Sequence, residues 1–215
     1  MFINTHTHHE LRDAEIEIVN IDPGSPEKPL YFSRGIHPWH VNEFTLEEEL
    51  REVEKSGADK KCLAIGECGL DRLGKAPLEL QQKAFMLQVV LANRLNKPII
   101  VHCVKAFNEL LNCLNHAGNS MPVIIHGFNN NESTASLLLN EGCYFSFGKA
   151  LMGYQSPAAK AIRSAGRRRI FLETDDADIP IRGVYNKAAE LLGVQPEIVE
   201  AQLQNNFEEV FKRKL

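Results

Sequence analysis

The 215-residue sequence contains no run of about 18 consecutive apolar residues, which a membrane-spanning helix would need. Its opening, Met1-Phe2-Ile3 followed by Asn4-Thr5-His6, lacks a basic stretch leading into an apolar one, so export is not expected and a cytoplasmic, membrane-free protein is. Cysteine is sparse and scattered. Cys62, Cys68, Cys103, Cys113 and Cys143 form no close pair of the zinc-ribbon kind, and the chain is neither short nor loop-rich enough for a disulfide scaffold. Positive charge is not in excess: 24 Lys and Arg against 28 Asp and Glu leave a formal charge of -4. That balance excludes a general attraction to polyanions, so a phosphate-bearing substrate must be held by local cations or metal ions. Repeats, low-complexity tracts and linkers are also missing, and 44% apolar residues suffice for one domain over residues 1–215 with a sizeable core.

What the sequence does have is alternation. Short apolar, β-branched runs predict about eight strands, at residues 2–5, 15–21, 31–36, 62–66, 98–102, 122–126, 143–147 and 169–174. Helical patterns fall between the later ones, at 46–56 with Thr45 as a candidate N-cap, 78–95, 107–116, 133–140 and 158–165. Two more follow the last strand, around 187–192 and, after Gln195-Pro196, at 197–212. The alternation predicts an α/β fold, a trimmed TIM-type (β/α)8 barrel with a shortened N-terminal third. Only residues 7–14 separate the first two strands, fewer than a parallel crossover usually takes. The second strand is therefore expected to run antiparallel to its neighbours or to lie outside the barrel. The Pro- and Gly-containing stretch 22–29 reads as a loop.

Residues able to bind metal stand where the strands end. His6 and His8 share one face of the first strand because strand side chains repeat every two residues. Glu67, His102, His126 and Asp175 follow the fourth, fifth, sixth and eighth apolar runs. Parallel barrel strands deliver these ends to one rim, and carboxylates crowded there without a cation would be costly. Mixed imidazole and carboxylate donors suit Zn, Mn, Fe or Ni, and Mg less well. His116 reads as a surface residue, His9 as a possible but redundant ligand, and Cys68 and Cys103 as packing.

The motifs Asn4-Thr5-His6-Thr7-His8, Gly35-Ile36-His37-Pro38, Ile65-Gly66-Glu67-Cys68-Gly69-Leu70-Asp71, Pro98 to His102, Ile125-His126-Gly127-Phe128, Leu172-Glu173-Thr174-Asp175 and Asn206-Phe207 come in a recognisable order. Together they resemble the TatD-related deoxyribonucleases, a branch of the amidohydrolase-like metal-dependent hydrolases. The resemblance runs almost end to end. It implies a TIM-type barrel that hydrolyses phosphodiesters with two divalent metal ions: one held by His6, His8 and Asp175, the other by His102 and His126, with Glu67 bridging. The sequence has Asn4, Val104 and Asp176-Ala177-Asp178 where the family usually has Asp, Arg and a Pro-Tyr-Leu-like run.

Within that frame Asp175 is the candidate general base, and Glu67 is the second catalytic carboxylate. His37 and His40 are expected to meet the substrate, and Trp39 to line the entrance by stacking. Arg72, Lys105, Lys149 and Arg182 are the cations expected to hold an anionic phosphoester, possibly a DNA end. The run Arg167-Arg168-Arg169 precedes a strand and so belongs to the opposite rim. Hydrolysis of an amide, lactone or amidine bond, and a non-catalytic metal-binding barrel, are the alternative readings.

Overall fold

A computed structural model describes residues 1–10, 13–27, 29–153 and 155–215. The chain runs β1 (Ile3–Thr7), β2 (Ile16–Ile21), β3 (Tyr31–Arg34), α1 (Leu46–Gly57), β4 (Cys62–Asp71), α2 (Leu78–Leu95), β5 (Ile99–Val104) and α3 (Phe107–His116). It continues with β6 (Val123–Ile125), α4 (Glu132–Asn140), β7 (Tyr144–Phe147), α5 (Pro157–Ala165), β8 (Ile170–Leu172), α6 (Ile181–Leu192) and α7 (Pro196–Phe211). The strands lie in the sheet order β1 to β8, and the fold class is the parallel β/α barrel expected from the alternation. Among the described residues no helix separates β1 from β2 or β2 from β3, which is the shortened N-terminal third. The stretch 22–29 is a loop as expected, with Lys28 outside the described residues.

The expectation for the second strand is overturned: β2 pairs with β1 in parallel, Ile3 opposite Ile16 and Asn4 opposite Glu17. Chain reach explains it. Five-residue β1 is only about 17 Å long at ~3.4 Å per residue, and residues 8–15 can cover that distance without a helix. The Phe2 carbonyl accepts the Glu15 N–H at 3.1 Å, which tethers the returning chain beside the start of β1. Thr45 is the residue before α1, but its hydroxyl bonds the Glu49 carboxylate at 3.0 Å and makes no cap to the backbone. At α7 the Gln195-Pro196 signal holds, with Pro in the first turn, where its missing N–H costs nothing.

The chain divides into two compact units, Met1–Val19 with Ile124–Leu215, and Asn20–Val123. In the first, the buried aromatics Phe128, Phe145, Phe147, Phe171 and Phe207 form the core, Phe128 stacking on Phe145 at 4.1 Å between ring centres. Full burial of such a ring contributes about 1.5–3 kcal/mol. Buried Tyr185 of α6 accepts the Ile3 N–H and donates to the Ile3 carbonyl, which fixes the start of β1. Asn206 of α7 donates to the Arg167 and Ile170 carbonyls, capping the entry to β8.

In the second unit α1, α2 and α3 flank β3, β4 and β5. Buried Gln88 of α2 accepts the Ile36 N–H at 2.7 Å and donates to the Ile36 carbonyl, satisfying the backbone where β3 ends. β4 is twice as long as the expected 62–66, because Gly66 and Gly69 do not break it. Both have left-handed φ (146° and 144°), and a methyl group there would collide with the Ile100 and His102 carbonyls. Glycine thus lets β4 lie against β5 on both sides of Glu67.

A candidate metal centre

In the first unit β1 supplies His6 and, one residue past its end, His8. His126 follows β6, and Asp175 stands three residues beyond β8. Ladder bonds hold Asp175 against β1: its N–H donates to the His6 carbonyl at 3.0 Å, and its own carbonyl accepts the His8 N–H at 3.1 Å. Asp175 Oδ1 then lies 3.5 Å from His6 Nε2 and 3.4 Å from His8 Nε2. The rings of His6 and His126 are 4.3 Å apart, and donor atoms of His6, His126 and Asp175 all fall within 4.8 Å of one another. Burial alone would raise the Asp175 carboxyl, but hydrogen bonds from His6 and His8 and the nearby His126 hold it far below the ordinary carboxylate range. Behind this trio sits buried Glu173, whose Oε1 accepts the Gly127 N–H at 2.6 Å and lies 3.6 Å from His126 Nδ1.

The second unit holds another trio. Glu67 Oε1 is 3.1 Å from His37 Nε2 and 3.0 Å from His102 Nδ1, and donor atoms of the three lie within 4.8 Å of one another. The Glu67 backbone N–H donates to Asn20 Oδ1 at 2.6 Å, which fixes the root of the carboxylate. Burial pushes His37 below the usual imidazole value although hydrogen bonding to Glu67 opposes it, so the neutral ring is favoured. Asp71, also on β4, meets the far side of His102, its Oδ2 3.1 Å from Nε2. Burial would raise Asp71, yet hydrogen bonds from Trp39, the Leu73 N–H and His102 bring it below its ordinary value.

All six expected ligands therefore have donor partners of the right kind. His126 stands with His6 and Asp175, and His102 with His37 and Glu67. His40 is exposed, its ring 5.8 Å from that of His37. Arg72 pairs with Glu109, and Lys149 with Asp176 at 2.8 Å, while Lys105 is exposed just past β5. Arg182 lies over the Phe2 ring at 4.6 Å, at the start of β1, the end opposite His8. His9 and His116 are exposed, and Arg169 packs on Tyr144 at the N-terminal end of β7.

Sequence reasoning gave no role to Asp71 or Glu173. For Asp71 a signal existed: it is four residues from Glu67, an even spacing that returns a strand side chain to the same face. It was hidden because the expected strand stopped at residue 66, short of both positions. Glu173 carried no signal beyond its place in the quoted motif.

The TatD-related DNase family matches residues 21–212. The chain belongs to this family, whose members are metal-dependent hydrolases. The TatD-family chain is 32% identical over 167 residues to the uncharacterised metal-dependent hydrolase YcfH of Escherichia coli, spanning 74% of this chain and 61% of the relative. It is 29% identical over 187 residues to the uncharacterised metal-dependent hydrolase YabD of Bacillus subtilis, spanning 84% and 72%. In fold it is similar to the crystal structure of YjjV, a TatD homologue from E. coli, with a TM-score of 0.84, 22% identity and coverage of 99% and 98%. Among the described residues of this TatD-family protein no helix is long and apolar enough to cross a membrane.

Proposed function

We propose that the protein is a phosphoesterase that releases nucleotides from DNA, using two divalent cations, one at each donor cluster. The observation that carries the reading is the donor chemistry, in which imidazole nitrogens and a carboxylate oxygen converge within 4.8 Å in each unit. His6, His8, His126 and Asp175 would hold one ion, and Glu67 and His102 the other. These mixed donors suit zinc or manganese better than magnesium, which takes oxygen ligands. A bound ion of this kind polarises the phosphoryl oxygen and lowers the pKa of water from 15.7 towards about 7.

The protein's own groups do the rest. Asp175, whose Oδ1 lies 3.5 and 3.4 Å from the His6 and His8 Nε2 atoms, is the carboxylate assigned to accept the proton of the attacking water. Glu67 keeps His37 and His102 turned toward one carboxylate oxygen. His37, favoured in its neutral form, donates its Nε2–H to Glu67 and accepts the Trp39 backbone N–H at Nδ1, so it is assigned to contact the substrate through its ring face. Arg72, Lys105 and Lys149 follow strand ends and are the cations assigned to the phosphate backbone, with His40 at the rim. Arg182, seated on Phe2, is assigned a packing role.

The test begins with protein stripped of metal by EDTA and resupplied with Zn²⁺ or Mn²⁺, which should release nucleotides from a short single-stranded oligonucleotide. Asp175→Asn should lower the rate by about 10²- to 10⁴-fold while leaving the far-UV circular dichroism unchanged. Turnover confined to an amide, lactone or amidine panel would move the reaction class. Bound metal without turnover of any of these substrates would leave a non-catalytic barrel.

A further inference from the structure

Asp71 serves two partners with one oxygen. Its Oδ2 accepts the indole N–H of Trp39 at 2.6 Å and lies 3.1 Å from His102 Nε2. Its Oδ1 accepts the Leu73 N–H at 2.7 Å. The backbone beneath cannot drift, because buried Gln81 of α2 accepts the Asp71 N–H and donates to the Asp71 carbonyl. Trp39, the chain's single tryptophan, is 56% exposed. One edge of its ring rests on Gly74, where a methyl would come within 3.2 Å of Cδ1. The rings of His37 and His102 meet it edge-on, at 4.9 and 5.7 Å between centres. A large apolar ring is thus held by a charged hydrogen bond and two imidazole edges while more than half of it faces solvent.

We propose that Trp39 is a substrate-positioning residue whose placement is coupled, through Asp71, to occupancy of the cation site at His102. The inference rests on the reading above, in which His102 binds a divalent ion. His102 faces Glu67 with Nδ1, so Nδ1 is the nitrogen that would offer a lone pair to the ion, and Nε2 must then carry the proton and donate to Asp71. A ligated imidazole gives up electron density, and its N–H becomes a stronger donor. Asp71 Oδ2 is then drawn toward His102, and the indole competing for the same oxygen must readjust. The exposed indole is the part that can do so, since Asp71 and His102 are enclosed. An indole face stacks on an unpaired base whatever its identity, so the ring suits the base next to the reacting phosphate of a single strand.

The single tryptophan supplies the readout. Metal-free protein is titrated with ZnCl₂ while emission is recorded, and bound zinc is measured in parallel by equilibrium dialysis. The expected result is an emission change that saturates with the zinc bound at the His102 cluster and is lost in His102→Asn. Trp39→Phe, which removes one donor from Asp71, should alter zinc affinity at that cluster. It should also raise KM for a single-stranded oligonucleotide about tenfold with kcat little changed. Zinc bound to saturation with unmoved emission, or Trp39→Phe with unaltered zinc affinity and KM, overturns the coupling alone. If neither cluster binds zinc, the metal reading fails and takes this inference with it.

Discussion

Asp175 sits at φ 54°, a left-handed conformation that Asn and Asp tolerate far better than branched residues do. This is why Asp175→Asn isolates the carboxylate, whereas a β-branched replacement would also disturb the backbone bonds to β1. Asn4 shows the same economy one strand away. Its Nδ2 donates to Thr174 Oγ1 at 2.8 Å and its Oδ1 accepts the Thr174 N–H at 3.1 Å, all of it buried. Asn4→Leu would leave two polar groups of Thr174 unsatisfied, at an expected cost of about 1–3 kcal/mol for each, read from urea unfolding curves. Asn4→Asp, the residue usual in the family, keeps the acceptor and lets the threonine hydroxyl turn to donate, so its cost should be much smaller. The sequence marked Asn4 as a departure but could not say what it touches, because Thr174 is 170 positions away.

At the level of elements, the strands that read most clearly were those with an unbroken apolar run, such as β6 and β8. β4 runs past its expected end at residue 66, because in the sheet Gly66 and Gly69 are what lets two backbones approach. β2 was misoriented because a crossover long enough for a helix was assumed, which a parallel return beside so short a strand does not require. Strand burial has a consequence at alkaline pH. Burial raises the Cys62 thiol from its ordinary 9.0 to about 11 and the Cys143 thiol, just before β7, to about 12. A thiol whose folded pKa lies above its unfolded value stabilises the fold fully below about pH 9. That contribution is lost as pH rises through the folded value. Each pH unit of the interval costs up to roughly 1.4 kcal/mol per thiol. Urea unfolding at pH 8 and 10.5 should show this fall in stability, and Cys62→Ala should flatten it.

For the molecule as a whole, the two donor trios predict a metal stoichiometry of two per chain. Elemental analysis of the zinc-loaded protein should find two ions, falling to one in His126→Asn and to one in His102→Asn. Because such ions bind the folded chain, zinc at a hundredfold excess over its dissociation constant should add about 2.7 kcal/mol per site, and EDTA should remove it. A thermal unfolding midpoint unmoved by either addition would contradict ligation by these side chains.

The order of short strands and helices and the kinds of donor atom were legible in the sequence, because periodicity is a local property of the chain, whereas Glu67 and His102, expected at strand ends, lie within β4 and β5. The contacts each donor makes were not legible. Which imidazole faces which carboxylate depends on irregularities between strands, such as the shifted register of β4 against β5 between Ile65 and Cys68, and a two-residue period cannot be carried across such a shift. The same holds for Asp71, which gained its two partners only when a loop after β3 and the end of β5 were folded against it.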